Sequence, residues 1–197
     1  MTTLKGWLVD RWQWPAGALM TSIFLIAVLP VFYSVAGLAL TLVFAQLPAY
    51  MIHQFEEHHD NCFCTYVNRL VAGGRIALTP MAAFWINSIG VWGVDLAALF
   101  LARYVSLGLG VIAVDLALVN GTLHLIGAIV RREYNPGAWT SLLIFFPLGI
   151  WTYAVLLGAG ASRPEQILGF SVAVAIHIGI VAYVRLRVAR LAPILQP

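Results

Sequence analysis

The sequence predicts an all-α, polytopic membrane bundle of about six transmembrane helices, five if the first segment is re-entrant, with both termini cytoplasmic. Three observations predict it. First, the 197 residues are 61% hydrophobic and only 10% charged, with a mean hydropathy of +0.90, whereas soluble domains carry about 25% charged residues. So little charge does not cover a water-facing surface. Second, six apolar segments follow one another, most of them near the roughly 20 residues that a bilayer-crossing helix needs. Third, the basic residues fall on alternate sides of these segments. Lys5, Arg11, Arg69, Arg75, Arg131, Arg132, Arg185, Arg187 and Arg190 share one side, and Arg103 and Arg163 the other. That asymmetry puts the richer side, and both termini, in the cytoplasm. It also reads the net charge of +3 as a topology signal, with no nucleic-acid partner expected.

Taken in order, the chain opens on an aromatic and basic stretch. Trp7, Arg11, Trp12 and Trp14 suit the headgroup region, and no small-residue cleavage site follows them. The first apolar segment covers about 17–32, with Pro30 near its end, and the second 35–58. The third covers 81–102, the fourth 107–130, the fifth 138–157 and the sixth 167–188. The division between the first two is the least sharply marked. No internal repeat or low-complexity tract interrupts the chain, so 1–197 reads as one transmembrane domain. Two cysteines, Cys62 and Cys64, are too few for a disulfide framework. They read as reduced thiols.

Polar residues converge on this topology. The run "HQFEEHHD" ends the second segment. His53, Glu56 and Glu57 stand at i, i+3 and i+4 and share one helix face. Glu56 and His59 make a Glu-x-x-His pair, the spacing used in carboxylate-bridged two-metal bundles. Asn87 lies early in the third segment, Asn120 and His124 in the cytoplasmic half of the fourth, and His177 near the middle of the sixth. His53, Glu56, Glu57, His59, His124 and His177 are therefore the expected metal ligands, with Glu56 and Glu57 as the catalytic carboxylates. Imidazole and carboxylate suit a divalent ion: iron, in one or two copies, is favoured, with zinc as the alternative. Adjacent carboxylates near lipid repel each other, and a cation between them would relieve this. Asn87 and Asn120 are expected to orient ligands or bind substrate, Asn120 by holding His124 at i+4. In the loop "RREYNPG", Asn-Pro-Gly marks a turn. There Arg132 and Tyr134 are expected to cover the cytoplasmic mouth, with an arginine binding an anionic group. Asp95 and Asp115 lie within spans away from the cluster and are expected to be protonated and hydrogen-bonded between helices.

The motifs "HQFEE" (53–57), "NGTLH" (120–124) and "REYNPG" (132–137), in this order, resemble those of the HXXEE family of integral membrane proteins. The resemblance runs from the second to the fifth segment and implies a shared site, with the chemistry left open. His177 lies outside it.

Three functions compete. A membrane-embedded di-iron enzyme would oxidise a small apolar or lipid-like substrate entering from the bilayer, drawing on an electron donor. A single-zinc intramembrane hydrolase would use His53, His124 and one glutamate as ligands and the other glutamate as base. A metal or proton transporter would use the same residues as a relay. The expected location is the inner (plasma) membrane, with the site facing the cytoplasm.

Overall fold

The computed structural model describes residues 13–191, and among them every regular element is helical. The expected headgroup anchor at Trp7, Arg11 and Trp12 lies outside the described residues.

Helix α1, Trp14–His58, is nominally 45 residues long but contains a non-helical residue, Gly37, at φ 76° and ψ 175°. Only glycine takes that combination readily. A straight helix of this length would hold its ends about 65 Å apart. Instead the rings of Trp14 and His58 are 5.0 Å apart, and those of Phe32 and Phe44 are 4.9 Å apart. The chain therefore doubles back at Gly37 into two antiparallel arms, 14–36 and 38–58. Pro30, near the expected boundary, sits inside the first arm, and the reversal falls a turn or two later.

Helix α2, Cys62–Ala72, follows a short kink in which Asp60 and Asn61 take left-handed φ values of 52° and 57°. It occupies a stretch the sequence reading left between spans. Helix α3 is Pro80–Tyr104, α4 Leu107–Arg131, α5 Ala138–Gly158 and α6 Arg163–Leu191. Five helical stretches are long and apolar enough to cross a membrane: these last four and Trp14–Ala72, which contains the folded α1.

The central element is α4. Val111, Val114, Leu116 and Ala117 on it are fully buried, packed against α1, α5 and their neighbours. Phe24, Val31, Phe100, Ile150 and Phe170 are exposed around the outside, as lipid-facing positions are. Two helices widen into π-helical turns, α3 at Ile86–Trp92 and α5 at Ser141–Phe145. Such bulges re-aim side chains and are frequent at functional sites.

The hairpin at Gly37 and the alternating helices give the bundle two distinct ends. Arg75 donates to the Leu191 carbonyl at 3.0 Å and Arg69 pairs with Glu133 at 3.0 Å, tying α2, the C-terminus of α6 and the 132–137 loop together. This end carries Arg69, Arg75, Arg131, Arg132, Arg185, Arg187 and Arg190, while Arg103 and Arg163 lie at the other.

Candidate metal centre

At the arginine-rich end, the last two turns of α1 carry three side chains inward: His53, Glu57 and His58 are all buried. The last turns of α4 bring His124 to the same point, also buried. The Glu57 carboxylate lies at the centre. Its Oε2 is 3.6 Å from His53 Nε2 and 3.2 Å from His58 Nε2, and its Oε1 is 3.4 Å from His124 Nε2. Ligand atoms of His53, Glu57 and His124 all lie within 4.8 Å of one another, and this cluster could hold a metal ion. Ligands about 2.0–2.2 Å from a tetrahedral ion stand about 3.3–3.6 Å apart, close to the distances from His53 Nε2 to Oε2 and from His124 Nε2 to Oε1, which run to different oxygens of the same carboxylate.

Hydrogen bonds on the far side of each ring set its tautomer. Thr140 donates its one hydroxyl proton to Glu56 Oε2 at 2.5 Å. Its oxygen can therefore only accept from His53 Nδ1, 2.8 Å away. With Nδ1 protonated, neutral His53 presents a bare Nε2 to Glu57, and that nitrogen has no hydrogen-bond partner among the described residues. Asn135 donates its amide to the His124 carbonyl at 3.2 Å, so its Oδ1 faces His124 Nδ1 at 3.0 Å and accepts. Neutral His124 too is left with a bare Nε2 on the Glu57 side.

A third chain of bonds reaches His58. The Trp92 indole, a donor only, bonds Gln54 Oε1 at 2.6 Å. Gln54 Nε2 therefore donates to Asn87 Oδ1 at 2.9 Å, and Asn87 Nδ2 donates to His58 Nε2 at 2.9 Å. That nitrogen is an acceptor, so it does not offer Glu57 a proton. The carboxylate thus faces three acceptor nitrogens in a buried pocket, an arrangement that calls for a proton, on a ring or on the carboxyl, or for a metal ion shared by several.

The loop between α4 and α5 packs on this cluster. Gly137 takes φ +100°, and a Cβ there would come within 2.6 Å of His53 Cε1 and 3.0 Å of the His124 ring. Glycine alone lets the backbone lie on both imidazoles. Phe145, on the π-helical turn of α5, lies 4.4 Å from the His53 ring.

The other expected residues fall elsewhere. Glu56 points to the start of α5. It accepts from the Thr140 and Trp139 amides at 2.7 and 3.1 Å and from the Tyr134 hydroxyl at 2.6 Å. Burial, and then this glutamate, push the Tyr134 hydroxyl well above its ordinary pKa, so it stays a donor. The anticipated Glu56/His59 pairing is not formed, because α1 ends at His58 and His59 leaves the helical path at ψ 133°. Its half-exposed ring lies 3.4 Å from Asp60. His177 donates Nδ1–H to the Ala173 carbonyl at 2.8 Å and lines the cavity beside the cluster without joining it. Asn120 also lines that cavity, and the contact expected of it on His124 is made by Asn135 instead. Arg132 takes the left-handed φ of 54° that ends α4, and its side chain is exposed. Asp95 is buried, and neither of its carboxylate oxygens has a hydrogen-bond partner among the described residues. One oxygen of Asp115 is in the same state. The bonds between helices expected of these two acids are therefore not found.

Sequence reasoning missed three residues. His58 is not among the expected ligands, although a helix ending there keeps it on the inner side. Asn135 and Gly137 were read as turn formers. A buried histidine needing an acceptor, close to an Asn-Pro-Gly turn, was the available signal.

The profile of a family described as "protein of unknown function with HXXEE motif" matches residues 44–152, the stretch from the second arm of α1 to the middle of α5. The chain belongs to the HXXEE family. The motif's histidine and its second glutamate, His53 and Glu57, belong to the central cluster, while the first glutamate, Glu56, secures the start of α5. No curated protein and no solved structure matches the chain.

Proposed function

We propose that this HXXEE protein is a membrane-embedded, metal-dependent enzyme with a single divalent ion held by His53, Glu57 and His124, acting on an apolar substrate. The observation that carries this reading is the placement of the His53 and His124 Nε2 atoms on either side of the buried Glu57 carboxylate, with Thr140 and Asn135 holding the Nδ1 atoms behind them. Three protein ligands leave a coordination position open, as catalytic sites do. A bound ion would act as a Lewis acid on a carbonyl or a water molecule.

The chain's own groups favour hydrolysis of an ester or amide, in which water adds across the acyl bond. Glu57, His53 and His124 hold the centre. His58 stands beside them, its Nε2 accepting from Asn87. Phe145 and the Gly137 backbone close one side against solvent. The di-iron oxidation reading needs a second ligand set, and its further ligands, Glu56 and His59, are engaged with α5 and with Asp60. The transport reading would use the same histidines and glutamates as a relay, one of which, Glu56, is engaged by the start of α5. Six membrane crossings, counting both arms of α1, would place the arginine-rich end and the site at the cytoplasmic face of the inner membrane.

Metal analysis of purified protein tests this reading. One zinc per chain, lost in His53→Ala, Glu57→Ala and His124→Ala variants that still fold, is the expected result. Two irons with an oxo-bridge absorption would replace it with oxidation. No retained metal, with proton flux in liposomes, would replace it with transport.

A further inference from the structure

A cavity of about 320 Å³ opens from the cluster, within the size range of small-molecule sites. Glu57, His58 and His124 form part of its wall, and apolar side chains form most of the remainder. A second cavity of about 460 Å³ lies against the outer surface between α3 and α6. The two share Ile86, Ile176 and Ile180 as lining, so they adjoin across those three side chains. The outer cavity is walled by residues such as Trp85 and Tyr183 and by two glycines, Gly90 and Gly179. A Cβ at either glycine would meet nothing within 4 Å. The missing side chains leave a slot facing the level at which lipid surrounds the bundle.

Polar atoms at the inner end are left unpaired. The Asn120 carbonyl oxygen, the Tyr66 hydroxyl and His58 Nδ1 are buried with no hydrogen-bond partner among the described residues, and all three residues line the inner cavity. Unpaired buried groups of this kind cost about 1–3 kcal/mol each, and a ligand's polar end would satisfy them.

We infer that the slot between α3 and α6 is a lateral entrance through which one long hydrocarbon chain reaches from the bilayer to the metal centre, its polar end lying against Asn120 and Tyr66. The occupant is a single-chain lipid. The adjoining cavities of about 320 and 460 Å³ have an apolar outer part and a hydrogen-bonding inner part, which match an amphiphile with one chain. This inference rests on the proposed metal centre for its chemistry, but the entrance itself is defined by geometry alone.

The test is photolabelling of the full chain in nanodiscs. The probes are a long-chain fatty alcohol and a fatty acid, each with a diazirine on the chain, and a diacyl phospholipid with the same group. The expected result is that a single-chain probe labels peptides containing Ile86, Ile176 and Ile180, and that Gly179→Phe or Gly90→Phe lowers this roughly tenfold, about 1.4 kcal/mol of lost chain burial. Metal content should stay unchanged in both variants. The alcohol and acid arms show whether the head is neutral or charged. Labelling that is spread over the bundle surface and unchanged by both substitutions would overturn the entrance, as would equal labelling of these peptides by the phospholipid. In His124→Ala the entrance predicts persisting labels whether or not metal is bound. In the parent protein, intact labelling without bound metal refutes the metal centre alone, and bound metal without labelling refutes the entrance alone.

Discussion

Replacing Asn135 by alanine separates a ligand-orienting role from a loop-building one. The Asn135 carbonyl oxygen accepts from His124 Nδ1 at 3.0 Å while its amide donates to the His124 carbonyl at 3.2 Å. Removing the side chain leaves a buried N–H without an acceptor, which costs about 1–3 kcal/mol. It also frees the ring to rotate or change tautomer, after which Nε2 carries the proton and no longer offers a lone pair to an ion. Loss of such an outer partner lowers metal affinity by about 10–100-fold, equivalent to about 1.4–2.7 kcal/mol. The assay is a competition titration against a chromophoric chelator, with thermal unfolding measured with and without metal. Asn135→Ala should weaken binding in that range, and Asn135→Asp, which keeps the acceptor, should retain most of it. If Asn135→Ala folds and binds metal within about twofold of the parent protein, the orienting role is refuted. Equal losses in the alanine and aspartate variants would refute the tautomer argument.

Gly137→Ala should unfold at lower temperature and lose metal together. The new Cβ would meet His53 Cε1 at 2.6 Å, and a non-glycine residue at φ +100° adds strain of about 1–3 kcal/mol. Metal affinity should fall as pH is lowered from neutral, because protons compete for the imidazole nitrogens; an affinity that does not change with pH on the acid side of neutral would contradict ligation by His53 and His124. Glu56→Gln should lower the unfolding temperature and weaken metal binding only partly, because it weakens the acceptor that holds Thr140 but leaves the cluster's own ligands in place, whereas Glu57→Gln should lose metal, as read by elemental analysis on the same preparations.

The all-helical class, the apolar segments and the general place of the site were legible in the sequence because composition and hydropathy patterning carry them, and five helical stretches are long and apolar enough to cross a membrane. His53, Glu57 and His124 were legible because helical spacing and helix polarity carry them to one end. What escaped was set by local backbone geometry. The reversal within α1 depends on a φ/ψ pair at Gly37 that no hydrophobic pattern encodes. The exchange of His59 for His58 depends on where α1 ends, since a single further turn would have kept His59 on the helix. The π-helical stretch at Ile86–Trp92 places Asn87 and Trp92 on one hydrogen-bond chain, and a periodicity of 3.6 residues does not forecast that.

The two glutamates of the motif show why adjacent carboxylates are tolerated here. They were expected to share a cation, yet they point to different parts of the structure. Glu56 lies at the start of α5, where two backbone amides, the Thr140 hydroxyl and Tyr134 donate to it, and the helix dipole adds to the stabilisation. Its charge is satisfied by protein alone. Glu57 receives no backbone donor among the described hydrogen bonds; its close neighbours are imidazole nitrogens whose protons the surrounding network directs to the opposite side of each ring. A carboxylate so enclosed keeps its charge only if a cation supplies what the protein withholds. The same bonds that anchor Glu56 also fix Thr140, and Thr140 fixes the His53 tautomer. The first glutamate thus acts on the second through one hydroxyl, and this ties the two halves of the motif to a single centre.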